Sequence, residues 1–167
     1  MATIHLIEGP VGSGKSTFSA TLAKQRTAVH IALDEWFVAL FSKDRPQVDV
    51  VTWYLERKDR CIDVIWSAAQ RIAATGTDVI LELGLIQRQD REAFYGRVDE
   101  SGLKLCVYIL DAARELRQER VRRRNAERGH TFSMVVPDHV FEIASDMWEP
   151  PDEDEVRVRA IEVIATN

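Results

Sequence analysis

The sequence predicts an α/β domain: a parallel sheet covered by helices on both faces. Three observations predict it. Short apolar runs alternate with stretches of helical periodicity along the chain, the order that feeds parallel strands through crossover helices. The first strand-helix unit encloses Gly9-Pro10-Val11-Gly12-Ser13-Gly14-Lys15-Ser16, which matches the phosphate-binding pattern G-x-x-x-x-G-K-S/T. Gly76, Gly102 and Gly129 each follow a helical stretch, where a helix stop is expected. Such a sheet takes its ligands at the carboxyl ends of its strands.

The first unit carries the chemistry. Ile4-His5-Leu6-Ile7 reads as a buried strand, and Thr17 to Lys24 as a helix with Phe18, Leu22 and Ala23 on one face. The glycines between them let successive backbone N–H groups converge on one phosphate, and the positive end of the helix dipole adds to the attraction. Lys15 then reaches the β- and γ-phosphates, and the Ser16 hydroxyl is placed to ligate Mg²⁺. A chance glycine-rich turn would not bring strand, turn, lysine and hydroxyl into register together. Residues Gly9 to Thr17 are therefore the candidate cradle of a nucleoside triphosphate.

The remaining elements follow in order. Ala28 to Leu33 reads as a second strand ending at Asp34-Glu35, and Trp36 to Phe41 as a short helix. Ser42 to Val48 is polar and irregular around Pro46. From Val51 to Thr75 the residues Leu55, Ile62, Ile65, Ala69 and Ile72 recur at helical spacing, and Gly76 ends the helix. Asp78 to Leu83 is a third strand, followed by a helix from Arg88 to Glu100 that stops at Gly102. Leu103 to Leu110 is a fourth strand, after which Asp111 is placed to cap an arginine-rich helix closed by Gly129. Pro137 suits the first turn of a helix reaching Trp148, and Val158 to Thr166 reads as a last strand.

Composition bounds the class. The 167 residues fit one domain, 1–167, with a proper core, and 46% apolar with 29% charged residues is ordinary for a globular protein. No apolar run approaches the roughly 20 residues of a membrane span, and the N-terminus shows no secretory signal. Cys61 and Cys106 lie far apart, in neither a disulfide framework nor a metal spacing. A cytoplasmic protein is expected, working as a monomer or homodimer. The net charge of −5 argues against a nucleic-acid partner without excluding one. The charge is uneven: seven arginines fall between Arg114 and Arg128.

Several residues are candidates for more than binding. Asp34 follows the second strand, on the rim that carries the glycine-rich loop, where a carboxylate can accept the proton of an attacking hydroxyl. It suits equally the N-cap of the helix at Trp36, and both roles can hold together. Arg120 and Arg124 are four apart and share a helix face. With the loop from Gly129 to Met134 they look like a lid, spanning about 114–136, that closes over a triphosphate and meets transition-state charge. Arg114, Arg117, Arg122 and Arg123 read instead as a solvated face pairing with Glu115, Glu119 and Glu127. Glu82, at the end of the third strand, either helps hold Mg²⁺ through water or is a buried carboxylate tied to a backbone amide. Arg88 and Arg91 are candidates for substrate or phosphate contacts, or else belong to a surface helix start. Trp36, Phe37, Phe41, Trp53 and Tyr54 either wall an acceptor pocket or belong to the core.

These residues carry a family resemblance. Gly9 to Thr17, Leu33-Asp34-Glu35-Trp36-Phe37, Val79 to Gly84, Arg120 to Gly129 and Trp148 to Glu153 resemble segments of the small bacterial P-loop kinases. Those are relatives of chloramphenicol phosphotransferase, zeta toxin and the polynucleotide 5′-kinases. The resemblance implies a three-layer P-loop NTPase fold with a five-stranded parallel sheet in the order 2-3-1-4-5 and a mobile lid. It implies phosphoryl transfer from ATP with Mg²⁺, Asp34 as base, and Arg120 and Arg124 as lid cations. One departure concerns Glu82: relatives often have Asp there, and the longer side chain bears on its metal role.

The expected activity is ATP-dependent phosphorylation of a hydroxyl on a small molecule: an antibiotic such as a cationic aminoglycoside, a nucleoside or a sugar. Lys15, Asp34, Arg120 and Arg124 would carry the chemistry; Asp34, Trp36, Phe37 and Arg88 would meet the acceptor; Ser16 and Glu82 would meet the metal. The alternatives are a polynucleotide or nucleotide kinase, for which the arginine helix speaks, and a non-catalytic nucleotide-binding regulator.

Overall fold

The computed structural model describes residues 1–129 and 135–167. Five strands form one parallel sheet: β1 (Thr3–Glu8), β2 (Val29–Ala32), β3 (Val79–Glu82), β4 (Lys104–Asp111) and β5 (Glu162–Ala165). Their spatial order is β2-β3-β1-β4-β5, all neighbours parallel. The first strand is therefore central, and the loop leaving its carboxyl end opens between β3 and β4, where the strand order reverses.

The alternation of side chains along β1 divides the core. Ile4 and Leu6 face the larger apolar cluster, filled by Cys61, Ile65 and Ala69 of α3 (Val50–Ala74) and by Phe94 and Val98 of α4 (Arg88–Ser101). Ile7 faces the other cluster, with Phe18 and Leu22 of α1 (Lys15–Arg26). Period-two strands packed on both faces by period-3.6 helices give the three layers. Helix α2 (Leu33–Phe41) and a 3-10 turn (Ser42–Asp44) follow β2, and α2 packs on α3. Helix α5 (Arg114–Glu127) packs on α6 (Asp138–Asp146), and α7 (Glu153–Arg159) precedes β5.

Four local expectations are corrected. Asp34 does not cap α2: Ala32 holds that position, and Asp34 lies within the first helical turn. Asp111 is the last residue of β4, hydrogen-bonded in the ladder, so the cap position of α5 falls to Ala113. That helix ends at Glu127 with Arg128 in the left-handed conformation (φ 48°), one residue before Gly129. Helix α7 begins in a stretch where no element was expected and runs into the strand expected from Val158, which shortens β5. Its signal is present in the sequence: Asp152 follows two prolines and accepts the Glu155 N–H at 2.8 Å, with Glu153, Asp154 and Glu155 in the first turn.

Candidate active site

The loop between β1 and α1 is shaped by close approach. A Cβ on Gly9 would lie 2.3 Å from the Leu110 carbonyl oxygen, and one on Gly12 would lie 2.6 Å from that of Arg117. Both positions also have positive φ, 150° and 80°, so no other residue fits without moving backbone. The loop is braced from β5 and α5. Thr166 donates its hydroxyl to the Ser13 carbonyl at 2.8 Å, and Arg117 donates to the Val11 carbonyl at 2.9 Å. Arg117, expected on a solvated face, is thus a buried strut of the loop. The loop backbone is held from both elements and is not left to find its shape when an anion arrives.

Lys15 donates to the carbonyls of Gly9 at 2.8 Å and Pro10 at 3.0 Å. Surrounding protein lowers its pKa, while the carboxylates of Glu8, Glu82 and Asp34 hold it up. The Ser16 hydroxyl donates to Glu82 Oε2 at 3.1 Å, and His30 Nε2 lies 2.7 Å from Glu82 Oε1. Burial pulls the Glu82 carboxyl up, but hydrogen bonding from His30 and the charges nearby outweigh it and leave it below the ordinary range. An ionised carboxylate beside a hydroxyl is a hard-oxygen pair, and it fits Mg²⁺ carried in by a nucleotide, since that ion binds through one or two protein groups plus phosphate and water. Among the described residues no cluster of three or more His, Cys, Asp or Glu side chains forms a metal cage.

Asp34 stands in the first turn of α2, directly after β2. Water reaches its side chain, yet protein surrounds it closely enough to raise its pKa. Glu82 adds to the rise, and Lys15, Arg124 and Lys58 oppose it. Arg124 faces Asp34 from α5; desolvation lowers its pKa, Asp34 raises it, and its buried Nε has no hydrogen-bond partner. Arg120 donates to Thr166 Oγ1 at 2.9 Å and lies 4.0 Å from where a Gly14 Cβ would be. Lys15, Asp34, Glu82, Arg120 and Arg124 are therefore gathered around one loop from four elements.

The aromatic residues split. Phe37 is buried and meets Phe41, Trp53 and Tyr54 at ring separations of 5.2, 5.6 and 4.9 Å, so it is core between α2 and α3. Trp36 is half-buried against the main core. Tyr54 feels the Asp34 carboxylate, which together with burial raises its pKa. Arg57 lies 4.8 Å over the Trp53 ring. At the start of α4, Arg88 pairs with Asp152 and Glu92. Arg91 is corrected outright: fully buried, it binds Glu155 at 2.7 and 2.9 Å, so it joins α4 to α7 and has no face for a phosphate.

Three polar residues of the site escaped sequence reasoning. Glu8 ends β1, wholly buried, and accepts backbone N–H groups from Leu83 and Leu85. Lys58 is buried and donates to the Gly84 carbonyl at 2.8 Å. His30 is the third. Each had a signal: Glu8 is a charge inside an apolar strand before the first glycine, Lys58 sits on the apolar stripe of α3, and His30 interrupts the second strand.

A strand, a braced glycine loop, a helix-borne Lys-Ser pair and carboxylates at the ends of the neighbouring strands define a P-loop nucleotide-binding domain. The chain belongs to the AAA domain family (AAA_33), whose model matches residues 4–151. No curated protein sequence matches it. Its fold is that of small P-loop kinases. A provisionally assigned kinase from Chloroflexus aurantiacus superposes with a TM-score of 0.73 at 17% identity, covering 99% of this chain and 88% of that one. Chaetomium thermophilum Kti12 in complex with ADP-AlF3 gives 0.71 at 14% identity, covering 97% and 88%. A gluconokinase from Sinorhizobium meliloti gives 0.60 at 18% identity, covering 98% and 82%. No helix of the described residues is long and apolar enough to cross a membrane.

Proposed function

We propose that the protein is an ATP-dependent kinase that transfers the γ-phosphate of Mg-ATP to a hydroxyl of a small molecule. The observation that carries this reading is the setting of Asp34: an exposed carboxylate after β2 under the charges of Lys15 on α1 and Arg124 on α5. Gly9 to Thr17 would cradle the phosphates, with Lys15 leaving the carbonyls of Gly9 and Pro10 for the β- and γ-oxygens. Mg²⁺, when bound with the nucleotide, supplies neutralisation of phosphate charge beside Ser16 and Glu82. Asp34 would orient the acceptor hydroxyl and take its proton, late in a loose transition state. A carboxyl with a raised pKa is a stronger base, which suits the role. Arg120 and Arg124, carried on α5, would meet the charge on the transferring group. Of the predicted lid, residues 130–134 lie outside those described.

Trp36 and Tyr54 would line the acceptor side. Lys58 and Arg124 act on Asp34, and Arg57 of α3 lies over the Trp53 ring. The cations acting on Asp34 favour a neutral or anionic acceptor, such as a sugar or nucleoside, over a cationic aminoglycoside. The test is ATP consumption measured against panels of sugars, nucleosides, antibiotics and RNA 5′ ends. Turnover on one small-molecule class supports the reading. Turnover on RNA ends alone supports a polynucleotide kinase, and nucleotide binding with no transfer to any acceptor supports a nucleotide-binding regulator.

A further inference from the structure

Each oxygen of Glu82 has its own donor. Oε2 accepts from the Ser16 hydroxyl at 3.1 Å, and Oε1 lies 2.7 Å from His30 Nε2. The sheet register explains the second contact. Strand β2 runs parallel to β3 with Ala32 opposite Glu82 and His30 opposite Ile80. His30 and Glu82 therefore share a sheet face two residues apart along the strands, within reach of long side chains. An ionised carboxylate only accepts, so the ring nitrogen facing it must carry the proton.

That contact answers a specific mechanical need. A glutamate has one more rotatable bond than an aspartate, and its terminal torsion is broad. Without the imidazole on Oε1, the carboxylate could swing, and the hydroxyl would swing with it. With Oε1 held by the imidazole, Oε2 stays fixed, and the Ser16 proton stays pointed at it. The hydroxyl lone pairs are then turned away from Glu82.

We propose that His30 is a positioning residue for the metal of the bound nucleotide: through Glu82 it fixes the Ser16 hydroxyl so that its lone pairs face the ion. The proposal rests on the reading that Ser16 meets the metal of a nucleoside triphosphate. It extends that reading to a residue on the edge strand that bonds Glu82 and not the phosphate loop. Residues that orient a ligand from the next layer out typically change metal affinity or activity by about 10- to 100-fold when removed.

The experiment measures Mn²⁺ binding to the protein saturated with ADP, by calorimetry or by the loss of the free-ion paramagnetic resonance signal. ADP binding in EDTA and the thermal midpoint are measured in parallel. His30→Ala is expected to weaken Mn²⁺ by about 10- to 100-fold, with ADP binding in EDTA unchanged. His30→Gln, which keeps an N–H donor, is expected to restore most of the affinity, whereas His30→Phe, which keeps the bulk, is not. If wild type binds Mn²⁺ with ADP and all three variants match it, the proposal is overturned while the site reading stands. Equal losses in His30→Gln and His30→Phe, or a loss in EDTA of the same size, would mark His30 as a packing residue and overturn it too. If wild type shows no Mn²⁺ binding in the presence of ADP, the metal site falls, and this proposal with it.

Discussion

The Glu8 carboxylate accepts the Leu85 backbone N–H at 3.0 Å, with no part of the Glu8 side chain exposed. A second bond from the Leu83 N–H, at 3.4 Å, makes Glu8 the tie between the strand that feeds the phosphate loop and the segment after β3. Burial pushes its pKa up to about 7 against the opposing pull of Lys15, the two N–H groups and Lys58.

That shift predicts a pH dependence. The folded pKa of about 7 exceeds the unfolded value of 4.5, so the native state holds this proton more tightly. The stability contributed is fully present below 4.5 and is lost as pH rises through 7. At roughly 1.4 kcal/mol per unit it amounts to about 3–4 kcal/mol. Denaturant unfolding at pH 5 and pH 8 should show wild type losing more stability than Glu8→Gln over that interval. Parallel curves for the two proteins would leave Glu8 with an ordinary pKa.

Lys15→Ala should abolish Mg-ATP binding or weaken it severely and leave the fold intact. The lysine gives up only two bonds to loop carbonyls, and its removal takes away a desolvated charge. Titration with ATP checks the first part and circular dichroism the second. Wild-type affinity in this variant would sink the nucleotide-binding reading.

Asp34→Asn should keep ATP affinity and lower phosphoryl transfer by about 10²–10⁴, the range of a general base. The loss is smaller if the base acts late in a loose transition state. Because Ala32 and not Asp34 occupies the cap position of α2, Asp34→Ala should be no more destabilising than Asp34→Asn. Thermal melts of the two variants compare their stability. Transfer at the wild-type rate by Asp34→Asn would return the base assignment to Glu35 or Glu82.

Arg120→Ala and Arg124→Ala should each lower kcat more than they raise KM for ATP, by factors of about 10². The structure separates them. Arg120 also holds Thr166, which holds the Ser13 carbonyl, so its loss should weaken ADP binding as well. Arg124, whose Nε is unpartnered, should affect turnover alone. Steady-state kinetics with an ADP titration distinguish these outcomes, and two variants at the wild-type rate would make both arginines surface charges.

Much of the site was legible because its chemistry is local. Gly9 to Ser16 must lie in a strand-turn-helix whatever else the chain does, and the positions of Asp34 and Glu82 follow from counting to the ends of apolar runs. The cap errors at Asp34 and Asp111 share one cause. In each, a residue suited to a helix start was taken into a neighbouring regular element, because the ladder or the helical turn ran further than the apolar pattern indicated.

The sequence by itself determined the alternating elements, the phosphate loop and the carboxylates on its rim, since periodicity and turn chemistry act between near neighbours. Resemblance, not pattern, supplied the order 2-3-1-4-5. Only the tertiary structure decided which distant groups share a charge or a proton: Ser16 with Glu82, Glu82 with His30, Glu8 with Leu85, Arg91 with Glu155, Thr166 with Ser13. These partners lie between 52 and 153 residues apart in the chain. A parallel sheet with crossover helices brings together the ends of strands remote in sequence, so the partners of its buried polar groups are set by strand order and register.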